Sequence, residues 1–464
     1  MLSNQRPVEP SSVMFIGHPT KQQSDNIIVN MDKDKASGIF PLKCAVQNYA
    51  WGKIGENSIV AKLANQDKEF KLEGNQPYAE LWMGTHIKGP SRVASSKYKG
   101  KSLRDVFIEN PRLLGDHVYK RYGVQLPFLF KVLSVNKSLS IQAHPTKEHA
   151  KTLHSQYPDR YPDPNHKPEL AIALNRFEAL CGFRPASQVL NYLHDVPEFL
   201  AVVGQPAADE LINAEHVHSG GNKSEAVAKA LRQCLSCVMN CESETVKKQL
   251  KLLVERLEDS HLNRQDTTPY LGRLFMRIYN EFPGDVGCFV IYFLNHVILE
   301  PDEAIYLAPN VPHAYLSGDC IECMACSDNV VRAGLTPKFK DVTTLCNMLN
   351  YRPTKAEENK FKYTVKPNDE FVCTYNPPVD EFAVDKIKVP KGSTNYALAP
   401  INGPSIVLTV KGKAAATNAL SENGDEVETL QPGAVLFIGA NQCLRVITVQ
   451  EDLLMFRAFC ELQT

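Results

Sequence analysis

The chain has 464 residues, 43% hydrophobic and 22% charged, with 25 glycines and 30 prolines. That composition is ordinary for globular domains and excludes collagen-like or wholly disordered architecture. Lys+Arg (51) against Asp+Glu (52) leaves a net charge of −1, which argues against a nucleic-acid partner or an anionic membrane surface. No apolar run reaches the ~18 residues that span a bilayer, and the length suggests two or three domains.

Residues 1–38 are polar, lack apolar periodicity and end in a charge run, Asp32 to Lys35. They read as a disordered N-terminal tail. From 39 to 184 the apolar runs are short and broken by turn residues. LPFLFKVLSV (126–135) reads as a buried strand. SLSIQAH (138–144) alternates, with Ser138, Ser140, Gln142 and His144 on one face. ELAIAL (169–174) and FEALCGF (177–183) read the same way.

The period then changes to helical. PASQVLNYLHDVPEFLAVVG, NKSEAVAKALRQCLSCVMN and SETVKKQLKLLVERLED read as helices, the last with an apolar stripe at Val246, Leu250, Leu253 and Leu257. Thr268 before Pro269 reads as an N-cap and first turn for a further helix. Strands resume at GCFVIYFLNHVILEPDEAIYLAP. They continue through FVCTY, EFAVDKIKV, SIVLTVKG, GAVLFIGA, CLRVITV and LLMFRAF, separated by Gly and Pro turns. The expected fold is mostly β, a sandwich or jelly roll with a helical insert. The expected domains are a β domain at 39–184 and 284–350, a helical domain at 185–283, and a second β domain at 351–464.

Thirteen cysteines are scattered along the chain, and the segment MLSNQRPVEPSSVMFIGHP lacks a basic stretch leading into an apolar core. Free thiols in a reducing, cytoplasmic compartment are the expectation. Cys234, Cys237 and Cys241 follow helical spacing and read as packing. Cys320, Cys323 and Cys326 lie in a segment that carries other chemistry.

Gln142 and His144 lie two apart on one strand face, so both can address one object. YPDPNHKPEL (161–170) crowds His166, Lys167 and Glu169 on a Pro-braced segment, and LAPNVPHAYLSG places His313 and Tyr315 on one face of another strand. Two imidazoles, a carboxylate and an amide form a mixed N/O set fit for Zn²⁺ with a position left open. Residue types alone leave a second reading in place, a non-isomerising metal- or sugar-binding cupin or an iron oxygenase using two His and one carboxylate.

The segment 161–169, Tyr-Pro-Asp-Pro-Asn-His-Lys-Pro-Glu, resembles the first signature of the type I phosphomannose isomerases, a cupin-superfamily family. HAYLSGDCIECMACSDNVVRAGLTPK (313–338) resembles the second, and SIQAHP, YAELWMGTH and QNYAWG are similar to that family as well. The resemblance implies a cupin-type β-barrel catalytic domain, a helical domain and a cupin-like C-terminal domain. It implies one Zn²⁺ per chain on Gln142, His144, Glu169 and His313, with an active-site arginine at Arg332. It also implies interconversion of mannose 6-phosphate and fructose 6-phosphate through a cis-enediol(ate), feeding GDP-mannose synthesis and mannose catabolism.

That reaction needs an acid/base group near the carbon-bound proton. Glu322, alternating opposite Ile321 and Cys323, is one choice, and Lys167 beside Glu169 is the other. The phosphate needs cations, for which Lys131, Lys338 and Arg332 are candidates, with Ser140 donating and Tyr315 lining the site. Trp82 reads as core and Trp51 as core or pocket lining. The expected partner is a small sugar phosphate, with no nucleic acid or membrane, and the expected state is a monomer.

Overall fold

A computed structural model describes residues 38–67, 69–216, 223–419 and 427–462. The expected N-terminal tail, save Gly38, lies outside them. The described chain builds two large antiparallel sheets, one of eleven strands and one of ten, together with a helical insert. This is the predicted mostly-β, cupin-like architecture, although the ladders leave the sheets open rather than closing a barrel.

The eleven-stranded sheet carries the chemistry. It includes β2 (Glu80–Met83), β3 (Phe128–Val135), β4 (Ile141–Ala143), β5 (Glu169–Ala173), β6 (Phe177–Phe183), β7 (Leu294–Leu299), β8 (Ala304–Leu307), β9 (His313–Ala325) and β10 (Val331–Gly334). β1 (Ile39–Lys43) precedes them in the chain and belongs elsewhere. All eight residues of β3, FLFKVLSV, are buried, as expected for an aromatic and β-branched strand covered on both faces. β9 is the hub. Its first half, His313 to Ser317, pairs with β6, and from Gly318 onward it pairs with β3. The changeover falls at Gly318, whose φ is 111°. A Cβ there would sit 2.6 Å from the Arg176 carbonyl oxygen, so only glycine allows β9 to bend between partners.

The ten-stranded sheet includes β11 (Asp369–Tyr375), β12 (Ala383–Val389), β13 (Ser405–Asn418), β14 (Val435–Ile438) and β15 (Leu444–Phe459). β1 joins this sheet, with Ile39, Phe40 and Pro41 opposite Ile438, Phe437 and Leu436. Sheet membership therefore cuts across the domain boundaries expected from the sequence, because alternation shows that a segment is a strand but not which strand it pairs with. A shared core of Phe40, Val132, Ile321, Phe437 and Phe456 packs the two sheets together. CLRVITV and LLMFRAF, read as two strands, are one sixteen-residue strand, β15. It pairs with β13 through several register shifts that absorb its polar middle.

The insert contains helices Ala186–Asp195, Pro197–Val203, Gln205–His216, Lys223–Asn240, Ser243–Leu262 and Gly272–Glu281. The first predicted helix is split in two at Pro197, whose ring cannot continue the preceding helix. Val246, Leu250, Leu253 and Leu257 are buried as the stripe requires. Thr268 is not an N-cap. Residues Thr268–Tyr270 form a tight 3₁₀ turn, Leu271 adopts a left-handed φ of 53°, and the helix starts at Gly272. The Asp266 carboxylate takes the Thr268 N–H, closing a turn ahead of the helix. GCFVIYF is likewise not strand: Gly287–Val290 is a helical turn, and β7 begins only at Leu294. A short, wholly apolar run has no period to distinguish the two. No helix among the described residues is long and apolar enough to cross a membrane.

Candidate metal centre and active site

Four strands converge on one ladder row. On β9, His313 lies opposite Cys181 of β6 on one side and Gln142 of β4 on the other, and Gln142 is in turn opposite Arg332 of β10. Residues directly opposite share a face, so His313, Gln142 and Arg332 point the same way. His144 follows β4, and Glu169 opens β5 where it pairs with Leu307 and Met324.

Both imidazoles are fixed from behind. His144 Nδ1 lies 2.7 Å from the Asn329 carbonyl oxygen, and His313 Nδ1 lies 2.9 Å from that of Val311. With Nδ1–H donating to a carbonyl, each ring presents an Nε2 lone pair. His144 Nε2 is 3.5 Å from Glu169 Oε1, and His313 Nε2 is 3.3 Å from Glu169 Oε2. The three residues are at most 3% exposed, yet His144 Nε2, His313 Nε2 and Glu169 Oε2 have no hydrogen-bond partner among the described residues. Buried polar atoms are rarely left so. The three ligand atoms lie within 4.8 Å of one another, and together they fit a divalent metal. Burial pushes the His144 imidazole down to about 4, keeping it neutral. Burial alone would raise the Glu169 carboxyl, but the charge of Lys167, 3.5 Å away, opposes it and the carboxyl lies well below the usual range. Neutral imidazoles and an ionised carboxylate are the protonation states that metal ligation needs. Ser140 Oγ donates to Gln142 Oε1 at 3.4 Å, which orients the amide.

Lys131 on β3 stands opposite Glu322 of β9. Its Nζ is 2.9 Å from Glu322 and 3.4 Å from Glu80, and it lies over the Trp82 ring. Burial is the main upward push on the Glu322 carboxyl. Lys131 opposes it, and the charges of Glu169 and Glu80 add to it. Burial likewise raises the Tyr315 hydroxyl well above its ordinary value, with Glu322 and Glu169 adding to the shift. The Tyr315 ring packs edge-on against Phe177. Lys167 Nζ is 3.5 Å from Glu169. The Arg332 guanidinium is half-buried, and burial lowers it from its ordinary value. Lys338 is exposed on the loop after β10. Trp82 is core, its indole N–H bonded to Glu80, while Trp51 is partly buried against the cluster around Tyr315.

Reading by motif passed over the residues that hold these groups in place. Asp163 accepts from the Ser327 hydroxyl and the Asp328 N–H, and the Asn329 side chain donates to the carbonyls of Asp163 and Asn165. Segments 161–169 and 327–329 thus interlock, and the Asn329 carbonyl is left to hold His144. Glu381, beside β12 of the other sheet, binds Lys147 at 3.2 Å and His166 at 2.9 Å. Each of these is three residues from a candidate ligand, His144 or Glu169. Position in sequence gave no sign of this contact. The cysteines take no part: none is in a disulfide. Burial pushes the Cys234 thiol up to about 12 and those of Cys320 and Cys323 well above their ordinary value.

Fold and site together define a cupin-like β protein with a buried centre of two histidines and one carboxylate. Three family models match in chain order. They are the phosphomannose isomerase type I catalytic domain over 39–186, its helical insertion domain over 202–294, and its C-terminal domain over 374–417. The chain is 47% identical to the mannose-6-phosphate isomerase of Bos taurus, over 92% of this chain and 99% of that one. It is 41% identical to that of Schizosaccharomyces pombe, over 91% and 100%. A crystal structure of a Salmonella typhimurium phosphomannose isomerase variant superposes with a TM-score of 0.76 at 30% identity, covering 92% of this chain and all of that one. A zinc-bound mannose 6-phosphate isomerase superposes with a TM-score of 0.75 at the same identity and coverage. The chain belongs to the type I phosphomannose isomerase family and is an enzyme of that family.

Proposed function

We propose that this enzyme interconverts mannose 6-phosphate and fructose 6-phosphate with one Zn²⁺ per chain, held by Gln142, His144, Glu169 and His313. The observation that carries the proposal is the convergence of three buried, unpartnered ligand atoms beside an arginine on the same ladder face. When bound, the metal supplies Lewis acidity where negative charge develops on the substrate.

The chain's own residues account for the rest. Isomerisation removes a proton from C2 of the open-chain aldose and returns one to C1, through a cis-enediol(ate). Arg332, always charged and without an ion pair among the described residues, stabilises the oxyanion that develops. Glu322, raised by burial, and Lys167, at the Glu169 carboxylate, are the candidates for proton transfer. Lys131 is held between Glu322 and Glu80, so in this reading it fixes Glu322 and shapes the field at the sugar. Lys338 meets the phosphate from its exposed loop, Ser140 donates beside Gln142, and Tyr315 walls the pocket. The free thiols suit the reducing cytosol, where the product would feed GDP-mannose synthesis, and we take the working unit to be a monomer.

A coupled assay for fructose 6-phosphate formation tests this. Activity should vanish with a chelator and return with zinc. Isomerisation that persists through exhaustive chelation would overturn it.

A further inference from the structure

The helical insert meets the sheet at a cavity lined by none of the candidate metal ligands. Glu178 lies on β6 three positions before Cys181, which pairs with His313, so alternation turns Glu178 to the face away from the metal ligands. On that side lies a cavity of ≈ 610 Å³ whose walls include Arg176, Arg273, Arg277, His296 and Thr267, with Glu178 its one carboxylate.

Glu178 is already engaged. It accepts from Arg277 Nη2 at 2.6 Å and lies 3.3 Å from His296 Nε2 and 4.0 Å from Arg176. Arg176 also reaches Glu300 at 3.5 Å, but on an exposed rim. Among the described residues the buried Arg277 Nε has no hydrogen-bond partner and the exposed Arg273 has no ion pair. Three guanidiniums therefore meet Glu178 in the wall, with Glu300 on Arg176 at the rim and Glu258 in the adjoining groove, and Arg273 and the Arg277 Nε are the donors left without an acidic partner among the described residues. A buried guanidinium donor left unpartnered costs free energy until an anion meets it. A groove of ≈ 650 Å³ adjoins the cavity, sharing Thr267, Gly272 and Arg273, and is lined by Leu257, Leu262 and Met276 together with Glu258 and His261. Leu262 there is 78% exposed.

We propose that cavity and groove together bind a phosphate monoester carrying an apolar group, its phosphate among Arg176, Arg273 and Arg277 and its apolar part over Leu257, Leu262 and Met276. The unpartnered donors of Arg273 and Arg277 are free to meet phosphate oxygens, which guanidinium forks suit. The site is separate from the isomerase centre and does not depend on that reading.

Phenyl phosphate is the probe, titrated calorimetrically into the full chain and into two variants. Arg273 has no partner to lose, so Arg273→Glu should fold and isomerise as the parent does, yet bind phenyl phosphate at this site about 10-fold or more weakly. Binding should survive Arg332→Ala, weaken with added salt, and exceed that of inorganic phosphate and of phenol. The proposal is overturned if Arg273→Glu titrates like the parent, or if Arg332→Ala alone abolishes binding, which would place the probe only in the isomerase centre. Inorganic phosphate binding as tightly as phenyl phosphate would overturn the apolar subsite.

Discussion

Replacing Glu381 by Gln should destabilise the enzyme in a manner that depends on pH. The side chain is 4% exposed and binds Lys147 and His166. Burial alone would raise its carboxyl, but His166 and Lys147 outweigh burial and hold it at about 2, against 4.5 for an ordinary glutamate. At about 1.4 kcal/mol per pKa unit, that difference corresponds to about 3 kcal/mol. A folded-state value below the unfolded one means stability that is present above pH ~4.5 and lost as pH falls toward ~2. Gln keeps the shape and a carbonyl acceptor, so Glu381→Gln should lose on the order of 2–3 kcal/mol at pH 7. Guanidinium denaturation of parent and variant, repeated at intervals from pH 7 downward, measures this. The gap should close below pH ~4.5 as the parent's carboxylate protonates. A variant as stable as the parent at pH 7, or a gap that does not change with pH, would refute the reasoning.

Arg332→Lys keeps the charge and loses the planar fork, so turnover should fall about 10- to 100-fold while KM moves little. Unchanged turnover with a raised KM would make Arg332 a phosphate anchor instead. Lys131→Met strands Glu322 and Glu80, both under 8% exposed, and should cost about 3–5 kcal/mol by chemical denaturation at neutral pH. That loss should shrink as acid protonates the stranded carboxyls. A variant of parental stability would mean that water reaches the cluster.

Residue types alone suggested a metal site but left its nature open, and it was the resemblance of 161–169 and 313–338 to the family's signatures that singled out the four candidate ligands. Gln142, His144, Glu169 and His313 lie in short segments with Pro braces and strand alternation, and the structure brings the two histidines and Glu169 together. The supporting contacts were not legible. Asn329 holds His144 through a backbone carbonyl, which any residue type could supply. Glu381 reaches His166 from 215 positions away. Helix faces were readable from period, as at Val246 to Leu257, whereas GCFVIYF had no period to read. β1 looked like the start of the first β domain, yet it pairs with β14, because pairing is decided by tertiary packing rather than local pattern.

Zinc content in parent and His313→Ala, by inductively coupled plasma mass spectrometry after dialysis, tests the central claim most directly. The β core does not depend on the metal, so circular dichroism should show both proteins folded. The account predicts one zinc per chain in the parent and almost none in the variant, with isomerase activity lost alongside. Full zinc occupancy in folded His313→Ala would contradict it.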